Sequence, residues 1–305
     1  SPKTSMPSLV IKPLPAAAPS PSKILGNRRF PVVLIDEATQ ATEPSTLVPI
    51  CRGTRQLILV GDHAQLSPTV ISEEAEAKGL GFTLFERLHK LGIESAMLTT
   101  QYRMHPTIRE FPSSRFYENK LEDGCSKTER VAPAGFIWPD WDKPVAFIPQ
   151  TGEDSADFEG NSRCNRDEAG VVLQVAQELL RPGDLQAGDI GIITPYNGQV
   201  RLLKNLFDEA SSINPNLGLS DIEIKSVDGY QGREKEVIIF SCVRSNSEGN
   251  LGFLKDKRRL NVAITRPKRG LIITGNPTTL RHDSTWAAWI DWMEESGLMA
   301  WHIGQ

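Results

Sequence analysis

An α/β fold built on parallel sheets is what this sequence predicts, and three observations predict it. Short apolar runs rich in β-branched residues recur along the chain: Pro31 to Ile35, Gln56 to Val60, Asp189 to Thr194, Ile222 to Val227, Glu236 to Val243 and Gly270 to Thr274. Runs without polar alternation suit strands that are covered on both faces. Helical patterns lie between them. Ala169, Val172, Leu173, Ala176, Leu179 and Leu180 fall at helical spacing within Arg166 to Leu180, and Gly198 to Ala210 is a second such stretch. Finally, the residues with chemical reach come directly after the apolar runs, where ligands sit in parallel α/β sheets.

In chain order, the first stretch is rich in proline, with Pro2, Pro7, Pro13, Pro15, Pro19 and Pro21. Such a composition buries too little apolar surface to offset ordering, so residues 1–29 read as a disordered tail. Order begins near Phe30. Residues Glu122 to Glu159, with Trp138, Trp141 and several prolines, read as an irregular connection. Trp286, Trp289 and Trp292 stand three residues apart; core packing of a C-terminal helix explains them better than an aromatic platform for bases.

Composition excludes several classes. The 305 residues carry a formal net charge of −4, which argues against a small, uniformly basic nucleic-acid binder but leaves room for a locally basic groove. No run of about 18 or more apolar residues exists, so no membrane-spanning helix is expected, and the opening residues lack the apolar stretch of a secretory signal. Cys51, Cys125, Cys164 and Cys242 are far apart and form no CxxC pair. They read as free thiols of a reducing compartment, which points to a cytoplasmic or nuclear protein.

The chemistry sits in short motifs at the ends of apolar runs. Val33-Leu34-Ile35-Asp36-Glu37-Ala38-Thr39-Gln40 delivers two adjacent carboxylates to a strand end. One can hold Mg²⁺ through its hard oxygens while the other positions an attacking water; an ordinary acidic loop would look the same. Gly61-Asp62-His63-Ala64-Gln65 follows the next run, and Gln65 has the reach to hydrogen-bond a terminal phosphate or that water. Gln101-Tyr102-Arg103-Met104-His105-Pro106 sets an aromatic ring beside a guanidinium. The pair suits a base and a phosphate, or else a packed tyrosine and a surface arginine. Thr194, Pro195, Tyr196, Asn197 and Gln199 follow another run, as a nucleic-acid contact or as a turn that opens a helix. Lys255, Lys257, Arg258, Arg259, Arg266, Lys268 and Arg269 form a basic stretch.

DEATQ, GDHAQLSP and QYRMHP, in this order, resemble superfamily 1 helicases of the nonsense-mediated-decay and senataxin type. Gly191 to Gln199 is similar to that family's motif IV, Ser226 to Lys235 to its motif V, and Arg259 to Arg266 to its motif VI. The resemblance runs from about Phe30 to Trp292. It implies RecA-like parallel sheets flanked by helices, with one partial domain over residues 30–98 and one nearly complete domain over residues 99–305. It implies ATP and Mg²⁺ as cofactors, single-stranded RNA or DNA as substrate, protein cofactors of RNA metabolism as partners, and no membrane. Carried over, Asp36 holds Mg²⁺, Glu37 activates water and Gln65 senses the γ-phosphate. Tyr102 stacks on adenine, Arg103 reaches the phosphates, Gly232 and Glu234 border the nucleotide with Glu234 on the ribose, and Arg266 is an arginine finger. Thr194, Pro195, Tyr196, Asn197, Gln199 and Ser226 lie where the family touches nucleic acid.

Two departures bear on this expectation. No Gly-Lys pair occurs in the sequence, so the G-x-x-x-x-G-K-[ST] loop that cradles phosphates is missing from it. The chain alone is therefore expected to hydrolyse ATP weakly or not at all. The alternative is a degenerate helicase acting as a non-catalytic nucleic-acid- or protein-binding module. Pro267 follows the motif VI arginine where the family has a small residue; it removes a backbone donor and ends or kinks a helix near Arg266.

Overall fold

The computed structural model describes residues 27–300 and the main chain of Ser8–Ile11. The chain divides into two compact units, Ser1–Met97 and Leu98–Gln305.

In the first unit, β1 (Ser8–Ile11), β2 (Val32–Ile35) and β3 (Gln56–Leu59) form a parallel sheet in that order. Val32 pairs with Ser8 on one side and Gln56 on the other, and Ile35 pairs with Leu59. Val33 and Ile35 are buried with Phe30 and Ala38, and Leu57, Leu59 and Phe85 pack against them. Ser8–Ile11 falls inside the expected disordered tail yet is a strand: its Leu-Val-Ile run pairs along the free edge of β2. Residues 1–7 and 12–26 of that tail lie outside the described residues. The unit's helices include α1 (Glu43–Ile50) and α2 (Leu84–Lys90). Thr83 and Glu86 close a reciprocal cap at the start of α2, with Glu86 N–H donating to Thr83 Oγ1 at 3.1 Å and Thr83 N–H to Glu86 Oε2 at 3.2 Å. Arg87 grips the Glu43 carboxylate with Nε at 3.0 Å and Nη2 at 2.7 Å, joining α2 to α1.

The second unit is built on a five-stranded sheet in which every neighbouring pair is parallel. Its strands are β4 (Val145–Pro149), β5 (Ile190–Thr194), β6 (Glu223–Ser226), β7 (Lys235–Ser241) and β8 (Pro267–Gly275), in the spatial order β6-β5-β7-β8-β4. β4 corrects the expectation of an irregular connection over Glu122 to Glu159: Val145, Ala146, Phe147 and Ile148 are buried along β8. Four consecutive apolar residues among prolines carry too weak a pattern to be read alone.

One face of the sheet takes Ala146, Ile148, Ile190, Ile192, Val237, Ile239 and Ile272 into a core with α4 (Arg166–Leu180) and α5 (Asn197–Ile213). Val172, Val175, Ala176 and Leu179 of α4, and Leu203 and Phe207 of α5, recur at helical spacing, so each helix seals that face with one stripe. The other helices of the unit include α3 (Pro106–Phe116), α6 (Lys257–Ile264) and α7 (Ser284–Glu295). Phe240 of β7 stacks with Trp286, and Phe111 of α3 meets Trp289 edge-on at 4.8 Å. Trp286 and Trp289 are buried and Trp292 packs on Phe111 and Trp289, so the tryptophan series is core. From β5 the chain turns to one side for β6 and then returns past β5 to β7, so the winding reverses between β5 and β7.

Among the described residues no helix is long and apolar enough to cross a membrane.

Candidate functional site

The first unit brings the two acidic motifs to neighbouring strand ends. β2 ends at Ile35 and β3 at its register partner Leu59, so Asp36-Glu37 and Asp62 to Gln65 leave the same edge of the sheet. The loops are stitched together: Val60 N–H donates to Ile35 O at 2.9 Å, and Ala38 N–H to Val60 O at 2.8 Å. Glu37 takes a left-handed conformation, φ +53°, uncommon for a residue with a side chain. Asp36 Oδ1 accepts from Glu37 N–H at 3.0 Å, and Gln40 Nε2 donates to Glu37 Oε2 at 2.7 Å. Gln65 Nε2 donates to Asp62 Oδ2 at 2.8 Å, which holds its amide over the loop. Asp36, Glu37 and Gln65 are all half-buried, within reach of a ligand and constrained by neighbours.

In the second unit, three stretches far apart in sequence converge. Arg103 Nε donates to Glu234 Oε2 at 2.7 Å, and Arg103 Nη1 donates to Thr265 O at 3.1 Å. Lys268 Nζ sits 3.1 Å from Glu234 Oε1. The hydrogen bond from Arg103, with Lys268 adding to it, holds the Glu234 carboxyl below its ordinary range. Gly232 lies in the exposed turn before Glu234 with φ +72°. Tyr102 is 68 % exposed, and its ring lies close enough to Gly124 that a Cβ there would come within 2.3 Å of Tyr102 Cε1.

Arg266 is only 3 % exposed. Its Nε donates to Val262 O at 3.0 Å and its Nη2 to Thr265 Oγ1 at 3.1 Å, so the guanidinium is folded onto the end of α6. A finger role therefore requires a change of rotamer. Of the two consequences expected of Pro267, an ended or a kinked helix near Arg266, the structure has the ended one. α6 ends at Ile264 and Pro267 is the first residue of β8, a position where a strand tolerates a missing donor. The proline's neighbour still serves the ladder, with Lys235 N–H donating to Arg266 O at 3.2 Å.

The residues after β5 divide sharply. Thr194 and Ser226 are register partners at adjacent strand ends. Thr194, Pro195, Tyr196 and Gln199 are buried. Gln199 Oε1 accepts from Asn165 N–H at 2.8 Å while its Nε2 donates to Asn165 O and Ser241 Oγ, both at 3.1 Å. Tyr196 Oη donates to Leu251 O at 2.9 Å, and burial raises its hydroxyl pKa. Asn197 is exposed and Ser226 half-buried, whereas the side chains of Thr194, Pro195, Tyr196 and Gln199 are enclosed.

Two residues with a part in this geometry, Gln101 and Arg130, have no role assigned from the sequence. Gln101 Oε1 accepts from Arg103 N–H at 2.9 Å and Met104 N–H at 2.7 Å, which turns the chain at the motif. Arg130 donates from Nε to Arg103 O at 2.8 Å and from Nη2 to Tyr102 O at 2.9 Å. Gln101 could have been found by its place in the motif. Arg130 carries no sequence signal, since it lies in the irregular stretch that follows.

Two family models described as AAA domain match residues 80–278 and residues 18–73. The chain is 46 % identical over 263 residues to a regulator of nonsense transcripts 1 homolog of Arabidopsis thaliana, covering 86 % of this chain and 21 % of that protein. It is 42 % identical over 272 residues to the ATP-dependent helicase NAM7 of Saccharomyces cerevisiae, covering 89 % and 28 %. With the probable helicase MAGATAMA 3 of Arabidopsis thaliana it shares 42 % identity over 278 residues, covering 88 % and 33 %. The chain thus spans between a fifth and a third of the length of these relatives. Those matches extend across the strand-end motifs described above, and the chain belongs to the superfamily 1 helicases of the nonsense-mediated-decay and senataxin type, with AAA-domain sequence over most of its length.

Proposed function

We propose that the chain is part of an ATP-dependent helicase core that couples ATP hydrolysis to movement on single-stranded RNA or DNA. The observation that carries this reading is the pairing of Ile35 with Leu59, which sends Asp36, Glu37 and Gln65 off one edge of a parallel sheet. The residues present fit the implied cofactors. Asp36 offers a half-buried carboxylate as a hard oxygen ligand, and Mg²⁺ is commonly held by one or two carboxylates together with substrate phosphates. Tyr102 offers an open ring for the adenine. Bound Mg²⁺ would supply neutralisation of phosphate charge.

Within that reading each residue has a task. Glu37 orients the attacking water and takes up its proton, while Gln65 hydrogen-bonds the terminal phosphate or the water. Tyr102 holds the base, and Glu234 and the turn at Gly232 border the ribose. Arg103 and Arg266 place positive charge on the phosphates. Phosphoryl transfer depends more on positioning and charge than on covalent chemistry, and an arginine finger contributes about 10³–10⁵ in rate. Asn197 and Ser226 contact the nucleic-acid backbone. Protein cofactors of RNA metabolism as partners accord with a relative that is a regulator of nonsense transcripts.

No Gly-Lys pair occurs in these 305 residues, so they do not themselves contain the phosphate-cradling loop. Hydrolysis by the 305-residue chain is expected to stay at background with or without single-stranded RNA. Fused behind the corresponding segment of a regulator-of-nonsense-transcripts relative, it is expected to hydrolyse ATP faster when RNA is added. Glu37→Gln in the fusion should retain ATP binding and lose turnover. Steady-state hydrolysis by that variant close to the parent's would remove Glu37 from the role, and a fusion that binds ATP yet never turns it over would favour a non-catalytic module.

A further inference from the structure

We propose that Phe253 is a stacking platform for a base of single-stranded nucleic acid, presented by a rigid turn between the loops that follow β5 and β6. The proposal rests on the reading that this chain binds single-stranded nucleic acid. An exposed phenylalanine alone is ordinary, but three features distinguish this one.

The turn that carries it is anchored on both sides. Leu251 and Leu254 are buried while Phe253 between them is 55 % exposed. Leu254 O accepts from Trp286 Nε1 at 2.9 Å. Phe253 N–H donates to Tyr196 Oη at 3.1 Å, and Tyr196 Oη donates in turn to Leu251 O. Gly252, at φ +54°, permits the approach, since a Cβ there would stand 2.5 Å from Tyr196 Oη. The aromatic ring is therefore held outward by a fixed main chain, and little conformational freedom remains to be lost when a base settles on it.

Its neighbours have the chemistry of a nucleic-acid surface. The Arg259 guanidinium lies 5.3 Å from the ring centroid, oriented by Asp228 at 3.3 Å and Asp256 at 3.5 Å. Lys255 and Lys257 are exposed to either side of Asp256. An aromatic face beside cations is the combination that binds single strands without sequence preference, because every base has a π-face and every nucleotide a phosphate.

The location agrees. Phe253 belongs to the connection that leaves β7, and the winding of the sheet reverses between β5 and β7. Ligands of parallel α/β sheets bind beyond the carboxyl ends of strands at such a reversal. The ring packs 5.5 Å from Tyr196, next to exposed Asn197, and its cation is tied to Asp228, two residues beyond Ser226.

The test uses the 305-residue chain with Phe253→Ala and Phe253→Trp, and fluorescence anisotropy with a labelled oligouridine strand and a strand of equal length bearing abasic sites, compared at matched ionic strength and repeated across a salt series. Phe253→Ala should weaken binding to the intact strand by about five- to a hundredfold, the range of one base–aromatic stack, and Phe253→Trp should retain it. On the abasic strand the alanine variant and the parent should bind alike. The slope of log affinity against log salt should not change, because no charge is removed. Unaltered binding of Phe253→Ala to the intact strand, or an equal loss on both strands, would overturn the platform while leaving the nucleic-acid reading in place. Failure of the parent chain to bind either strand would instead sink the nucleic-acid reading and the platform with it.

Discussion

Arg130 shows how a side chain can matter to a site that it does not enter. Its guanidinium spans two successive carbonyls, Tyr102 O and Arg103 O, so it fixes the main chain from which the exposed Tyr102 ring and the Arg103 side chain project. Lysine has no planar fork to hold both carbonyls at once. Arg130→Lys is accordingly expected to raise the Kd for a fluorescent ATP analogue by about tenfold, the worth of one hydrogen bond to a charged group, with a much smaller change in unfolding midpoint. Equal affinities for variant and parent would show that the motif holds its shape without Arg130. Burial sorts the motif residues in a similar way. Asn197 and Gln199 are two positions apart and chemically alike, yet one amide meets solvent while the other is enclosed by Asn165 and Ser241. Their identity and spacing alone do not distinguish them; the direction of α5 over the sheet does.

At the scale of elements, short helices depend on their ends. α2 has only Leu84 buried and Phe85 partly buried against the core, so the reciprocal cap of Thr83 and Glu86 carries a sizeable share of its stability. Thr83→Ala should lower the stability of the first unit by about 1 kcal/mol, read as a shift in the urea midpoint followed by circular dichroism. A shift below a few tenths would mean that the Arg87–Glu43 pair holds α2 in place without its cap. Strands behave differently. β5, β7 and β8 were legible because each is a continuous apolar run buried on both faces. β4 was not, because its four buried residues stand among prolines and a tryptophan-bearing loop, and only pairing with β8 makes them a strand.

At the scale of the whole second unit, a buried polar network joins α4 to the end of β7. Glu168 is fully buried; its Oε2 accepts from Ser241 Oγ at 2.7 Å and Val243 N–H at 2.8 Å. Val243, at φ +72°, is strained for a β-branched residue, and Asn165 Nδ2 also donates to its carbonyl at 3.1 Å. Burial pushes the Glu168 carboxyl up from 4.5 to about 8, so it is neutral in the fold at neutral pH. The unfolded chain loses that proton first, so the stabilisation is complete below 4.5 and declines as pH rises toward 8. His105 acts at the other side: burial lowers it from 6.5 to about 4, so the unfolded chain binds the proton first and stability falls as pH drops through that interval. Glu168→Gln, a neutral isostere, should flatten the decline of the urea midpoint between pH 4.5 and 8 and leave the His105 contribution. A midpoint profile identical to the parent's would mean that Glu168 ionises in the fold.

The α/β class, the parallel strands, the placement of Asp36, Glu37 and Gln65 just beyond apolar runs and the neighbouring ring and guanidinium of Tyr102 and Arg103 were all readable from residue order, because strand ends and acidic or aromatic motifs are local features. The association of Arg103 with Glu234 and Thr265, the inward turn of Arg266, the outward turn of Phe253 and the strand formed by Val145–Pro149 were not. Each of these depends on which distant segment lies alongside. Burial and hydrogen-bond partners are properties of packing between elements, and the periodicity of one element does not contain them.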